Sequence, residues 1–365
     1  MLKILLASPQ GFITKWTVSG NAAARTITLP LVQSRTEGAL SYNCTINWGD
    51  GSALSTVTAY DDSNRIHTYA SNGTYNVEIR GTCEGWSFNN AGDRLKIVAV
   101  VYWGDANGFG GFKYLKSGFY GCLNLGSLGI GVILPSGTGI LSDGFSRTFY
   151  GCSLATIPTD LFRYHTAVTI NGFSETFRGC TSLATIPTDL FRYNIAVTTA
   201  GFNSTFYGCT KLQIPSNLFF EPGEETTRFL NITSDFTMCF TRSSFAGSQG
   251  AAPELWNCDF GETITLSTAP ATDWAPGDTI TGQTSSATAT VVSKVSSLVY
   301  RIYQHFGVFT LGETVGVTGV PAKLAAQNGS HPIFAKMPVS TSCFSEAGNS
   351  LDSLSNYNSI PASWK

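Results

Sequence analysis

Nine cysteines, four histidines and a recurring aspartate are the residues whose types could do chemistry, and their spacing limits what that chemistry is. No C-x-x-C or C-x-x-x-x-C pair occurs, which argues against a zinc ribbon or finger. His67, His165, His305 and His331 each lack a second ligand at i+4, the spacing that puts two side chains on one helix face to grip a metal. There is no G-x-S-x-G elbow and no phosphate-cradling glycine loop. Asp160 and Asp189 recur 29 residues apart, as a glycosidase carboxylate pair would if successive repeats placed them in one rank. The third copy carries Asn217 instead, so a helix-start role fits better. These features lead to the expectation of no catalytic residues, no metal and no cofactor. Arg163, Tyr164, Arg192 and Tyr193 also recur. They are candidates for a ligand-binding stripe, against the alternative of a solvated face with snorkelling stems.

These residues sit in a repeat that must position them. "FSRTFYGC", "FSETFRGC" and "FNSTFYGC" align on Phe149, Phe177 and Phe206, with "LKSGFYGC" (Phe119) upstream and "FTMCFTRS" (Phe240) downstream. The intervals are 30, 28, 29 and 34 residues. Within each copy the inward set falls at i, i+3, i+4, i+7, which predicts a short α-helix with two aromatics and a small residue on one face. The other half of each copy is "L-x-x-I-P": Leu154/Ile157/Pro158, Leu183/Ile186/Pro187 and the shorter Leu212/Ile214/Pro215. It reads as a short extended segment ended by proline. Thr159, Thr188 and Ser216 follow as N-caps of a helical turn bearing Leu161–Phe162, Leu190–Phe191 and Leu218–Phe219. One such unit cannot close a core alone, so the copies must stack.

Cys122, Cys152, Cys180 and Cys209 share one phase of the repeat. Helices about 8–10 Å apart would hold them beyond the reach of a disulfide, so the expectation is a ladder of buried reduced thiols. Cys44 and Cys83 flank strands and could pair. An odd total of nine suits a reducing compartment.

The bulk numbers agree with a neutral, strand-and-turn protein. The 365 residues carry 22 Lys plus Arg against 24 Asp plus Glu, a net charge of -2, which offers no electrostatic footprint for nucleic acid and no polybasic patch for a membrane. "LKIVAVVYW" is the most apolar run and is far shorter than a membrane span. "MLKILLASPQGF" holds only "ILLA" as an apolar core, so it reads as mature sequence rather than a signal peptide. The expectation at the other end is that no anchoring tail follows Trp364 and Lys365.

"F-x-G-C-x-x-L…I-P-x-x-L-F" over Leu95 to Cys258 resembles the BspA-like leucine-rich repeats of bacterial surface antigens. The resemblance implies a leucine-rich-repeat-type solenoid that binds rather than catalyses. "CTINWGDGS" followed by "HTYASNGTYNVEIRGT" resembles the polycystic-kidney-disease-type immunoglobulin-like domain. In that family the motif is structural, which implies that Asp50 and His67 hold a turn together. "KIVAVVYWGD" is expected to cap the stack. After Trp256 the period fails. "TGQTSSATATV" paired with "F-T-x-GETV" resembles a small β-module of tailed-bacteriophage virion proteins.

The repeat returns at the end, with Ser340, Cys343, Phe344 and Ala347 in phase and "IPASW" placing Trp364 where Leu161 stands. The expected fold class is therefore mainly β with short helices. The expected domains are an Ig-like β-sandwich over 1–93, a solenoid over 94–258, an inserted β-module over 259–338 and a final capping repeat over 339–365, completing the stack at Lys365. The resemblances imply a non-enzymatic virion surface protein. Its partners would be other capsid or tail proteins and host-surface glycan, and it would assemble in the host cytoplasm without membrane insertion. A bacterial cell-surface adhesin is the alternative.

Overall fold

A computed structural model describes residues 10–137, 139–220, 236–241, 250–258, 262–307, 309–317, 320–328, 342–345 and 353–365. Met1 to Pro9, Ser243, His331, Ser340, Ala347 and the side chain of His305 lie outside the described residues. The chain is mainly β, with several antiparallel sheets, and the helices among the described residues are three-residue 3-10 turns. Its contacts divide it into two compact units. Of the described residues, those up to Phe219, from Phe236 to Pro253 and from Ser342 onward form the first. Those from Glu254 to Asn328 belong to the second.

The first unit begins with nine strands: β1 (Phe12–Val18), β2 (Thr26–Thr28), β3 (Ser34–Arg35), β4 (Gly38–Ala39), β5 (Tyr42–Asn47), β6 (Ser55–Val57), β7 (Ile66–Thr68), β8 (Gly73–Cys83) and β9 (Ile97–Tyr102). A five-stranded antiparallel sheet runs in the order β6-β5-β8-β1-β9, while β2 pairs with β7 and β3 with β4. The alternation in β5 buries Tyr42, Cys44 and Ile46 and exposes the residues between them, as a one-sided sheet requires. Phe12 and Trp16 of β1 pack against Trp86, Trp103, Phe109 and Phe112.

The sheet passes into the repeats without a break. Strand β9 pairs antiparallel with β1 on one side and makes parallel bridges, Ala99 to Ser127 and Tyr102 to Ile130, on the other. Gly81 bridges Phe109 and Gly85 bridges Tyr114 in the same sense. Residues 86–90 already act as a rung: Trp86 and Phe88 donate their N–H groups to Tyr114 and Gly118, and their rings pack on Phe119.

The repeats stack in the register of their phenylalanines. Phe119, Phe149, Phe177, Phe206, Phe240 and Phe344 form one column with centroids 5.5, 5.4, 5.5, 5.7 and 5.3 Å apart and near-parallel rings. Phe145, Phe173, Phe202 and Phe236 form a second column at 5.4, 5.7 and 5.1 Å. Phe162, Phe191 and Phe219 form a third and meet the second edge-on. The step from Phe240 to Phe344 passes over Glu254 to Asn328 of the second unit in sequence, so those residues are an insertion between two rungs. Trp364 packs on Phe344 at 6.5 Å.

Among the described residues the predicted α-helices are not there. The F-x-x-x-F-x-G-C segments are runs of four-residue turns instead. Ser146, Thr148, Tyr150 and Cys152 donate to carbonyls three residues back at 2.9–3.3 Å, while Asp143, Phe145, Arg147, Phe149 and Gly151 donate to the next rung at 2.8–3.0 Å. Every fourth residue takes a left-handed φ: Asp143 (54°), Arg147 (58°) and Gly151 (73°), then Asn171, Glu175 and Gly179. A four-residue turn brings i, i+3, i+4 and i+7 to one side just as an α-helix does. The glycine of each F-x-G-C costs about 1 kcal/mol in a helix interior but little where φ is positive, and that tips the backbone toward turns. The segments after Thr159 and Thr188 are likewise turns rather than capped helices, and Asp160 has φ 58°. The L-x-x-I-P segments are extended, with a parallel bridge from Thr156 to Thr185.

The helix spacing behind the expected thiol ladder falls with the helices, because the rungs sit near 5 Å apart. All nine cysteines are nevertheless buried thiols. Cys152, Cys180 and Cys209 point Sγ–H at the carbonyls of Phe119, Phe149 and Phe177 in the preceding rung, at 3.2, 3.1 and 3.1 Å. Thr148, Thr176 and Thr205 donate backward in the same way, to Leu115, Phe145 and Phe173. A small side chain with one donor is what each position needs.

The second unit is a closed six-stranded antiparallel barrel of β10 (Glu262–Leu266), β11 (Thr279–Gly282), β12 (Thr288–Ser296), β13 (Val299–Phe306), β14 (Thr314–Val317) and β15 (Val320–Asn328), ordered β10-β13-β12-β11-β14-β15. Ile264, Trp274, Ile280, Val291, Tyr300, Ile302 and Val315 fill it.

Candidate binding surface

The four residues singled out by their recurrence are brought together only in part. Arg163 is exposed and its guanidinium lies 5.2 Å from the ring centroid of Tyr193 on the next rung, a cation–π pair. Its Nη1 also reaches Asp160 at 3.4 Å. Tyr164 is 53% exposed. Arg192 is half-buried and donates its backbone N–H to Asp189. Asp160 is thus tied to a turn and an arginine, and Asp189 accepts a turn hydrogen bond.

A second column runs along the F-x-G-C segments. The variable residue of F-x-G-C is Tyr120, Tyr150, Arg178 and Tyr207 on successive rungs, all half-buried. Tyr120 and Tyr150 are 4.7 Å apart, and the Arg178 guanidinium lies 4.1 Å from Tyr207 and 5.8 Å from Tyr150. Arg147 and Glu175 pair beside it through two hydrogen bonds, 3.0 and 3.1 Å. The signal was present: three tyrosines and an arginine at one aligned position. Rungs spaced for stacking turn such residues into a continuous aromatic and guanidinium strip.

Three clusters of titratable groups are built into the frame. Asp50 Oδ2 lies 2.7 Å from His67 Nε2, and Asp50 also accepts from the Ser52 N–H and hydroxyl. Burial pushes the Asp50 carboxyl up, but these hydrogen bonds outweigh it and bring it down to about 2. His67 stacks on Trp48 at 4.8 Å, and Tyr69 closes the group by donating to the Trp48 carbonyl. The tryptophan, aspartate, histidine and tyrosine of "WGDG…HTY" are therefore one cluster that ties β7 to the turn after β5.

The second cluster is in the barrel, where Glu313 accepts the N–H groups of Thr284, Ser285 and Thr310 and the hydroxyl of Ser285, at 2.6–2.9 Å. It joins the two halves of the "TGQTSSATA…GET" pattern. Burial alone would raise its carboxyl, and the donors lower it on balance. The third is His165 with Asn194, at equivalent places on neighbouring rungs and both buried. His165 Nε2 lies 3.0 Å from the Ile133 carbonyl, and Asn194 Nδ2 donates to the Phe162 and His165 carbonyls. The burial of both shows that the coil sets this position, with two residue types meeting one demand for a donor.

Among the described residues no three His, Cys, Asp or Glu side chains are placed to hold a metal ion, and no helix is long and apolar enough to cross a membrane. No protein-family model, curated protein or solved structure matches this chain. Along the described rungs the surface chemistry is stacking and cation–π contact, with Arg147 paired to Glu175.

Proposed function

We propose that this chain is a non-enzymatic surface protein of a tailed-bacteriophage particle: a capsid decoration, head fibre or tail-adsorption component. The observation that carries this reading is the closed barrel inserted between two rungs of the stack. Its "TGQTSSATATV" and "GETV" segments, joined by Glu313, are the residues that resemble the virion β-module. We read the N-terminal sheet with its Trp48–Asp50–His67–Tyr69 cluster as a polycystic-kidney-disease-type Ig-like domain, and the stacked rungs as a leucine-rich-repeat-type solenoid. Nine buried thiols support assembly in a reducing cytoplasm. The aromatic strip supports contact with another virion protein or with a host glycan, since stacking and hydrogen bonding need no net charge.

Proteomics of purified particles tests the proposal, with the protein expected in stoichiometric amounts. Deleting the gene is expected to leave particles that assemble but lose stability or adsorb to fewer hosts. The F-x-G-C repeat itself favours one rival, a BspA-like adhesin on a bacterial surface. Recovery of the protein only from an uninfected bacterial envelope would decide for that rival.

A further inference from the structure

We infer that a cavity between the β3–β4 hairpin and the rungs is a binding site for a single neutral, polyhydroxylated ring, such as the terminal sugar of a glycan. The cavity has a volume of about 190 Å³ and is lined by Arg35 and Glu37 of the hairpin and by Tyr114, Lys116, Ser142 and Asp143 of the rungs. The volume corresponds to roughly six liquid-packed waters, room for one ring and too little for the larger, mostly apolar molecules that fill common ligand pockets. This inference deepens the host-glycan side of the function proposed above, but it stands on geometry of its own.

The cavity is built and held rather than left over. The Arg35 side chain is only 10% exposed, and its Nη1 donates to the carbonyls of Lys113 and Gly139 at 2.9 and 2.8 Å. That fastens the hairpin across the rungs.

Its lining is polar but electrically matched. Arg35 faces Glu37 at 3.4 Å, Lys113 meets Glu84 at 2.7 Å and Lys116 meets Asp143 at 3.2 Å. A free anion or cation entering here would have to compete with an existing partner, so a neutral ligand is favoured.

Donors and acceptors remain to bind it. An ammonium has three N–H donors and a carboxylate about four acceptor sites, and the Lys116–Asp143 contact uses one of each. A donor and an acceptor fixed side by side suit two neighbouring hydroxyls of a sugar. The Tyr114 hydroxyl has no hydrogen-bond partner among the described residues, and its ring supplies an amphipathic face for the sugar's C–H groups. Ser142 adds a hydroxyl, 3.3 Å from that of Thr169. Because the ion pairs already restrain these side chains, little ordering is left for binding to impose.

The test is saturation-transfer NMR on the full chain. The probes are the methyl glycosides of glucose, galactose, mannose, rhamnose and N-acetylglucosamine, with inorganic phosphate as an ionic comparison. At least one glycoside is expected to bind saturably with Kd near 1 mM. Lys116→Met is expected to weaken that binding about tenfold or more, and Tyr114→Phe several-fold with an unchanged melt. Lys294→Ala, on the barrel and outside the cavity, is expected to leave it intact. Three results would overturn the inference: no saturable glycoside binding up to about 20 mM, phosphate binding in preference to every glycoside, or parental affinity in both cavity variants. If Lys116→Met does not fold, Tyr114→Phe decides alone. Glycoside binding by a protein missing from particles would defeat the virion reading and leave the cavity standing. A virion protein that binds no glycoside would do the reverse.

Discussion

Acidification from pH 7 to pH 4 should weaken the stack through His165, and the size of the effect follows from its surroundings. The imidazole is 2% exposed and packs edge-on against Phe145 at 4.9 Å. A carbonyl can only accept, so the 3.0 Å contact with Ile133 makes Nε2 the N–H donor and leaves Nδ1 bare. Nδ1 is buried with no hydrogen-bond partner, so a second proton there would enter an apolar site as part of a cation. Burial accordingly pulls the His165 pKa down from 6.5 to about 4, against a smaller opposing pull from the Ile133 carbonyl.

The sign follows from which state binds the proton. Above pH 6.5 neither the folded nor the unfolded chain holds it, and stability is unaffected. Between pH 6.5 and about 4 the unfolded chain takes it up and the folded chain does not, so stability falls as pH falls. At about 1.4 kcal/mol per pH unit the loss approaches 3 kcal/mol near pH 4 and then levels off. His165→Asn places there the residue that the next rung uses, Asn194, and removes the titration. Urea unfolding of both proteins at several pH values is the assay. The informative quantity is the difference in their pH slopes, because carboxylates such as Asp50 and Glu84 are common to both. Parallel curves between pH 7 and pH 4.5 would refute the reasoning and with it the neutral burial of His165.

Phe177→Ala or Phe206→Ala should cost about 3–5 kcal/mol, since each ring is fully buried and stacks on both sides. Asp189→Asn should stay within about 0.5 kcal/mol, and a parental melt for Phe206→Ala would contradict the column. Glu313→Ala should destabilise the barrel by at least about 3 kcal/mol, because three backbone N–H groups lose their acceptor; intact thermal stability would show that the clamp is dispensable. Alkylation under denaturing, non-reducing conditions should label Cys122, Cys152, Cys180 and Cys209 completely, whereas a cross-linked pair in the peptide map would contradict the ladder of thiols.

Much of the stack is legible in the sequence. Phe149, Phe177 and Phe206, with Cys152, Cys180 and Cys209, recur in phase because each rung buries the same face, and burial of large apolar groups is the strongest term a sequence displays. The return of that phase at Phe344 marked the insertion for the same reason. The "WGDG…HTY" cluster and the two halves of the Glu313 clamp were visible as motifs, though only the fold shows which atoms meet.

The backbone that carries the phenylalanines was decided by tertiary structure. Spacing at i, i+3, i+4, i+7 fits an α-helix and a run of four-residue turns equally well. What separates them is where alternate N–H groups go, and here they go to a rung 27 or 28 residues away, as from Phe145 to Gly172 and from Phe177 to Thr205. No local pattern can record a partner that exists only once the neighbouring rung is in place. The same is true of the cavity at Arg35. Its walls are joined by hydrogen bonds spanning 78 and 104 residues, and its ion pairs join residues that share no sequence motif. His165 shows the limit most simply: a polar residue between repeats looks like surface until stacking at about 5 Å closes over it, and then its one donor and its bare nitrogen set how the protein answers to pH.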